Sequence, residues 1–399
     1  MATPLPTISV DQRRARLARR HRLAPGSRAT DAVDSASSLV ALHGTDPGTI
    51  YLSAWARVDG FAVGDLEAAL YDDRSLVKHL AMRRTLWVFP RAVLPYAQAG
   101  ASSGVAATER KRLISQVEKA GLFADGARWL DDACAQVMAA LSDGRERTSS
   151  ELRDELPVLE GAMVYGEGRS WGGSTPIGPR VLTVLSAEGK VVRASNVGGW
   201  SVSRPRWTSM EGWLGEPLPT VSPDEGLAGL VERWLRAFGP GTTADLKWWL
   251  KSTVAGVRRA LADVGAVEVS LAPDESTGWV LPDDVDPVEE VEPWVALLPA
   301  LDPTTMGWTE RTWYLGDHKA QLFDTAGNAG PTVWSDGRIV GGWRQRDDGS
   351  VELQLLEKVG RAARSELDAR ADELTKWFGG QRALMRFPSP LSKQARQAS

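Results

Sequence analysis

The 399-residue chain has one cysteine, four scattered histidines and few tyrosines or phenylalanines, only twelve of the two together. A lone Cys134 rules out an intrachain disulfide and a cysteine-built zinc site, and its place on the apolar stripe of an expected helix makes it core. His21, His43, His79 and His318 never fall at the i, i+4 spacing of a helical metal pair, so neither a metal nor another cofactor is expected. No run of about 18 apolar residues is present, which excludes a membrane-spanning helix. The opening MATPLPTISVDQRRARLARR carries charge without the apolar stretch and small-residue cleavage site of a secretory signal, so a cytoplasmic protein is expected. Against these scarcities stand seventeen tryptophans, most of them expected in the core.

The formal charge of -4 is small, but its distribution is uneven. Arg13, Arg14, Arg16, Arg19, Arg20, Arg22 and Arg28 fall in the first thirty residues against Asp11 alone, whereas residues 263–292 hold ten acidic side chains and no basic one. The acidic stretch is expected to offset the basic faces without touching them. The arginine-rich helix, capped by Ser9 and Gln12, reads equally as a nucleic-acid contact or as a solvated face.

Length argues for two to four compact units, and one pattern recurs. Ser222-Pro223-Asp224-Glu225 is a capping box ahead of Leu227, Leu230, Val231, Trp234, Leu235 and Phe238, which keep the 3.6-residue period until Gly239-Pro240. A second helix opens at Thr242 and Asp245, and a third runs from about Ser252 with Arg258 and Arg259. Strands at Ala266–Leu271 and Gly278–Leu281 follow. Three helices and a hairpin predict a winged helix.

The same order appears earlier. Leu130, Ala133, Val137, Met138 and Leu141 share a helical face, Thr148 and Glu151 form a capping box, a helix covers Pro179–Ala187, and Lys190–Trp207 reads as a wing turning at Gly198-Gly199. A weaker copy comes first, with helices at Asp31–Leu42, Thr49–Arg57 and Val63–Leu70 and a wing over Val77–Phe89. Lys190, Arg193, Arg204 and Arg206 on one wing have no acid between them, and Lys78, Arg83 and Arg84 on the other lack an acidic neighbour. Together with Arg258 and Arg259 they are candidate contacts to double-stranded DNA, although a charge-protected hairpin edge explains the wings as well. After Glu292 short strands are expected at ALLPALDP, TWYLG, KAQLFD, PTVWSDGRIVGGWRQ and SVELQLLEK, then a helix over Ala362–Phe378 and a disordered tail from Pro388. The expected fold is α+β, with tandem winged-helix domains followed by a C-terminal β-barrel-like domain. The units are 1–112, 113–215, 216–290 and 291–399.

In order and spacing, LARRHRL, LHGTDP with LSAWARVDGF, MRRTLWVFP, GPGTTADLKWW, LLPALDPTTMGW and SDGRIVGGWR resemble the winged-helix (helix-turn-helix-42) family that includes the AlkZ/YcaQ-type DNA glycosylases. The resemblance spans nearly the whole chain. It implies a concave DNA-embracing scaffold and removal of alkylated or crosslinked bases. Glycosylases of that family carry Gln-x-Gln or Gln-x-Asp in the loop where this sequence has His43-Gly44-Thr45 followed by Asp46-Pro47, and the His after Arg-Gly-Thr-Leu is here Trp87.

The departure leaves chemistry in the loop. An N7-alkylated purine leaves as a cation that loses its charge, so a positioned water and electrostatic support for the sugar suffice. His43 can orient or deprotonate the water, Thr45 can hydrogen-bond it, and Asp46 can stabilise the oxocarbenium-like sugar. Alternatively His43 and Thr45 cap helix ends and Asp46 accepts backbone N–H bonds. The competing function is a non-catalytic regulator with a helix in the major groove, against which stands the absence of an obvious ligand-sensing or dimerisation segment. A monomer is expected.

Overall fold

Ser9 opens the first helix, its hydroxyl accepting from the Gln12 N–H at 3.2 Å ahead of Val10–Arg20. The computed structural model describes residues 5–165, 172–383 and 386–397. The arginines of this helix turn inward. Arg16, 1% exposed, binds Asp284 at 2.6 Å and the Asp286 carbonyl at 2.7 Å. Arg20 also engages Asp284, and Arg19 reaches Glu289 at 3.2 Å. The acidic stretch therefore does touch the basic helix, because a segment this rich in carboxylates is held to the surface most cheaply by partly desolvated guanidinium groups. Just upstream, Thr7–Ile8 adds a parallel strand to the hairpin Val267–Leu271/Ser276–Val280.

The first unit packs helices Ala32–Ser37, Pro47–Trp55 and Val63–Glu67 against an antiparallel sheet. The strands lie in the order Leu42–His43, Thr85–Pro90, Leu76–Ala81. Leu42, expected to end a helix, begins a strand instead. Arg83 and Arg84 make the turn of the long hairpin with left-handed φ of 58° and 61°, a conformation unusual for two consecutive side-chain-bearing residues. The second unit contains Gly126–Ala140, Ser149–Glu155 and Gly178–Ala187, with strands Arg147–Thr148, Pro205–Ser209 and Val191–Asn196. Helix Ser103–Lys119 runs across the expected boundary at 112/113 and packs on both Gly126–Ala140 and Gly178–Ala187. A further hairpin, Ala162–Tyr165/Gly173–Pro176, has no counterpart in the sequence reading. In the third unit the capping boxes at Ser222/Glu225 and Thr242/Asp245 open helices Pro223–Phe238 and Thr243–Leu250, and Thr253 caps Val254–Asp263.

The C-terminal part is no barrel among the described residues. Its four strands form an open antiparallel meander in the order Val295–Leu298, Thr332–Ser335, Arg338–Gln345, Val351–Leu355. Four short strands are too few to curl shut, and helix Arg361–Phe378 packs against both outer strands instead. TWYLG and KAQLFD, expected as strands, hold helical turns at Thr312–Leu315 and Lys319–Leu322, since short apolar runs do not distinguish the two by period. The tail expected to be disordered docks. Ser389 and Ser392 are buried, and helix Pro390–Gln397 packs on Arg338–Gln345, while residues 398–399 lie outside the described residues. The architecture is mixed α+β, and no described helix is long and apolar enough to cross a membrane.

One buried ion pair joins these parts. Arg57 and Asp302, both 0% exposed, meet at 2.8 and 2.9 Å through two N–H···O bonds. Ser53 donates to the same carboxylate at 2.6 Å, and Arg57 also donates to Thr304 at 2.7 Å and to the His21 carbonyl at 3.0 Å. Burial alone would push the Asp302 carboxyl up, but Arg57 and Ser53 hold it below its ordinary value. We expect Arg57→Met to cost about 3–5 kcal/mol, because it strands a buried carboxylate. Arg57→Met/Asp302→Leu should recover most of that loss in chemical denaturation. Equal losses in both variants would mean that the pair acts through packing alone.

Candidate active site

The LHGTDP segment is pinned on both sides. Leu42 and His43 pair with Val88 and Trp87, the Gly44 N–H donates to the Leu86 carbonyl at 2.8 Å, and the Leu86 N–H donates to Thr45 Oγ1 at 3.3 Å. Asp46 caps the helix Pro47–Trp55, with Pro47 in the first turn where its missing N–H costs nothing. Its Oδ1 accepts from the Gly48 N–H at 3.3 Å, and its Oδ2 from the Arg386 N–H at 2.8 Å, so the C-terminal segment lies over the loop. Thr49 then ties the helix to the Ala300 carbonyl at 2.8 Å.

His43, Thr45 and Asp46 are thus brought together, with different freedoms. His43 is 5% exposed, and its ring meets Trp87 edge-on at 4.8 Å between centroids. Its Nδ1 is buried with no hydrogen-bond partner. Burial, reinforced by the Arg83 guanidinium, pushes its pKa down to about 3, so the ring is neutral at pH 7. Asp46 is 2% exposed, and burial pushes its carboxyl up against the opposing pull of its two backbone N–H bonds. Thr45 is partly exposed, and its hydroxyl still has a proton to donate.

A recess of about 30 Å³ abuts the loop, walled by Gly44 and Pro47 on one side and by Tyr71, Lys78, Arg193 and Asn196 on the other. Lys78 does not project to solvent as expected of a wing cation. Its Nζ reaches Tyr71 Oη at 2.5 Å inside the recess. Arg193, from the second hairpin, enters the same recess and stacks 5.2 Å from the Trp207 ring centre. Trp200 from the hairpin tip is buried against Tyr51 and Trp377 and donates to Gln381 at 2.6 Å, which holds this hairpin against the first unit and the closing helix. Tyr71 and Asn196 were not signalled by the sequence. Tyr71 lies just past an expected helix end, and nothing local marks a residue as facing a neighbouring unit.

The other wing cations divide by partner. Arg83 lies over Trp248 at 4.2 Å, and Arg84 pairs with Glu109 at 2.8 Å. Lys190 pairs with Glu188 at 2.9 Å, Arg206 with Glu151 at 3.1 Å, and Arg259 with Asp224 at 2.6 Å. Glu188 is two residues from Lys190, whereas helices from other segments bring the carboxylates to Arg84, Arg206 and Arg259, so the scarcity of acid along the wings does not carry into space. Arg204 and Arg258 are exposed. Arg83 and Arg84 also line a cavity of about 640 Å³ together with Glu109 and Lys251.

A family model described as DNA glycosylase AlkZ-like matches residues 36–377. The interstrand DNA cross-link repair glycosylase of Streptomyces sahachiroi is 26% identical over 284 residues, covering 68% of this chain and 71% of that protein. The solved structure of the Streptomyces sahachiroi DNA glycosylase AlkZ has a TM-score of 0.73 at 20% identity, over 96% of this chain and 99% of that one.

Three buried histidines give a pH dependence. Burial pushes His21 and His43 down to about 3 and His79 to about 4, each from 6.5. The unfolded chain therefore binds protons that the folded one refuses. Stability should be fully present above about pH 6.5 and fall as pH drops toward 4, by roughly 1.4 kcal/mol per pH unit for each histidine. Urea denaturation between pH 7 and 4.5 checks this, and His43→Gln should make the fall shallower. A pH-independent midpoint would contradict the burial of these rings.

Proposed function

Starting from the fact that this chain belongs to the AlkZ-like DNA glycosylase family, we propose that it is a monofunctional enzyme removing N-alkylated, bulky or crosslinked purines from duplex DNA. Its relative's name, an interstrand DNA cross-link repair glycosylase, supports that class of lesion. The observation that carries the reading is the fixed HGTDP loop, whose Gly44 and Pro47 border a small recess that the side chains of His43, Thr45 and Asp46 do not line. The loop combines a neutral imidazole, a hydroxyl with a free proton and a clamped carboxyl on one short segment.

The roles follow from those constraints. A buried, neutral His43 orients water, whereas a protonated ring would oppose a developing sugar cation. Thr45 accepts from the Leu86 N–H and so keeps its own O–H for the water. Asp46, both oxygens engaged by backbone donors, acts as a fixed negative charge toward the oxocarbenium-like sugar. The three helix-and-hairpin units act as winged helices, with bounds 1–112, 113–215 and 216–290 and a C-terminal domain from 291. Through them the protein works as a monomer on cytoplasmic, nucleoid DNA. No metal or other cofactor takes part.

Incubation with duplex DNA bearing N7-methylguanine, followed by alkaline cleavage of abasic sites, tests the activity. We expect base release without strand cleavage before alkali and without a borohydride-trapped adduct. His43→Ala and Asp46→Asn should each slow release by roughly 10²-fold while leaving DNA affinity close to wild type. No release above the spontaneous rate, across several adduct sizes, would overturn the reading.

Duplex binding should be phosphate-dominated. Arg204 is exposed at its hairpin, so Arg204→Ala should reduce the log–log salt slope by about 0.9. Arg206→Ala should reduce it less, because that side chain is already paired with Glu151. Affinity lost on one sequence only would mean base readout instead.

A further inference from the structure

The recess beside the HGTDP loop contains a lysine whose surroundings are unusual for that residue type. Lys78 lies in Leu76–Ala81, opposite Val88, yet its side chain runs into the gap between the first unit and the second hairpin. Among the described residues no carboxylate ion-pairs with it. Its Nζ donates to Tyr71 Oη at 2.5 Å and sits 4.8 Å from that ring's centre. Tyr51 lines the same recess beside Tyr71. From the opposite wall Arg193 presents a like charge, while Glu67 is the carboxylate that acts on the amine from a distance. The recess, about 30 Å³, is the size of one or two water molecules. Its walls supply the several polar partners that an ordered water requires.

We propose that Lys78 is a general base of the glycosylase reaction, taking a proton from the water that attacks the sugar. This assignment rests on the glycosylase reading above. An amine with one N–H spent on Tyr71 keeps its lone pair for the recess when it is neutral. Burial, helped by Arg193, pushes its pKa down to about 7, so a large fraction is neutral near physiological pH. In the step, the water oxygen bonds to C1′ as its proton passes to Nζ. The C1′–N9 bond breaks with its electron pair going to the alkylated guanine, which leaves uncharged. The resulting ammonium returns its proton to solvent. Neutrality matters twice, because a charged Lys78 could accept no proton and would repel the sugar cation.

The test is the pH profile of single-turnover release of N7-methylguanine from duplex DNA. Wild-type release should rise through about pH 7 and level off above it. Lys78→Met and Lys78→Arg should both lose that limb and slow release at the plateau by roughly 10²-fold. Arg193→Gln leaves Lys78 in place but removes the like charge, so the limb should move to higher pH. Thermal melting of each variant separates these effects from misfolding, and Arg193→Gln keeps the test decisive if Lys78→Met folds poorly. Wild-type rates in Lys78→Arg would make the residue a phosphate contact and overturn the proposal, as would an unchanged limb in Lys78→Met. A borohydride-trapped adduct at Lys78 would make it a nucleophile and overturn it as well. Wild-type protein that releases no base sinks the glycosylase reading itself, which is distinguishable from failure of Lys78 alone.

Discussion

The Arg57–Asp302 pair is the constraint on which the arrangement of the site depends. Arg57 follows the helix Pro47–Trp55, which begins at the Asp46 cap. Whatever fixes the far end of that helix therefore fixes the HGTDP loop at its start. Asp302 comes from the segment after strand Val295–Leu298, and the same cluster collects the His21 carbonyl and Thr304. His21, in turn, sets its two ring nitrogens against Thr304 at 2.9 Å and the Ala237 carbonyl at 3.1 Å. Three distant stretches of chain thus meet at one fully hydrogen-bonded charge pair, and the His21 ring ties a fourth to it. A pair this deeply buried adds little net stability, but it penalises every arrangement in which one partner is missing. Its contribution is register between units rather than cohesion.

A second electrostatic theme explains how a chain of net charge -4 can face a polyanion. Part of the acid is spent on arginines of the chain itself. Asp284 is shared by Arg16 and Arg20 in a buried contact, and Arg19 holds the exposed Glu289, so the most basic and most acidic stretches of the sequence partly cancel each other where they meet. Arg204 and Arg258 remain exposed, and Lys251, with φ of 55°, stands at the turn between two helices of the third unit. Local potential rather than net charge is what a phosphate backbone meets, and these exposed cations are the proposed sources of it.

What the sequence made legible was local. The capping boxes at Thr148/Glu151, Ser222/Glu225 and Thr242/Asp245 are made by residues three apart, and each forms as read. The hairpin with Arg83 and Arg84 at its turn was readable for the same reason, since both strands are short-range partners. What escaped was tertiary. Strand Leu76–Ala81 is buried on both faces, so alternation cannot say which way Lys78 points. Glu109, Glu151 and Asp224 reach their arginines from separate helices, and no run of sequence shows that. The tail from Pro388 is polar enough to read as unstructured, yet Gly330 and Gly342 leave room against the sheet for Ser389 and Leu391 to dock.

The docked tail bears on the chemistry of the loop. Arg386 donates its backbone N–H to Asp46, the residue that also caps the helix, so a carboxylate with a structural duty is clamped from two directions. A capping role and a catalytic role are often treated as alternatives, but in the reaction proposed for this loop the first supplies the condition for the second. Electrostatic catalysis draws its advantage from charges that need not reorganise as the transition state forms. A side chain locked by two backbone donors has already lost the freedom it would otherwise surrender during reaction. The cost is access: at 2% exposure Asp46 can act on a sugar only through its field, not by contact or proton transfer. In the proposed reaction the direct proton chemistry falls to groups that face the recess, and on that wall burial and Arg193 push the amine of Lys78 down to about 7.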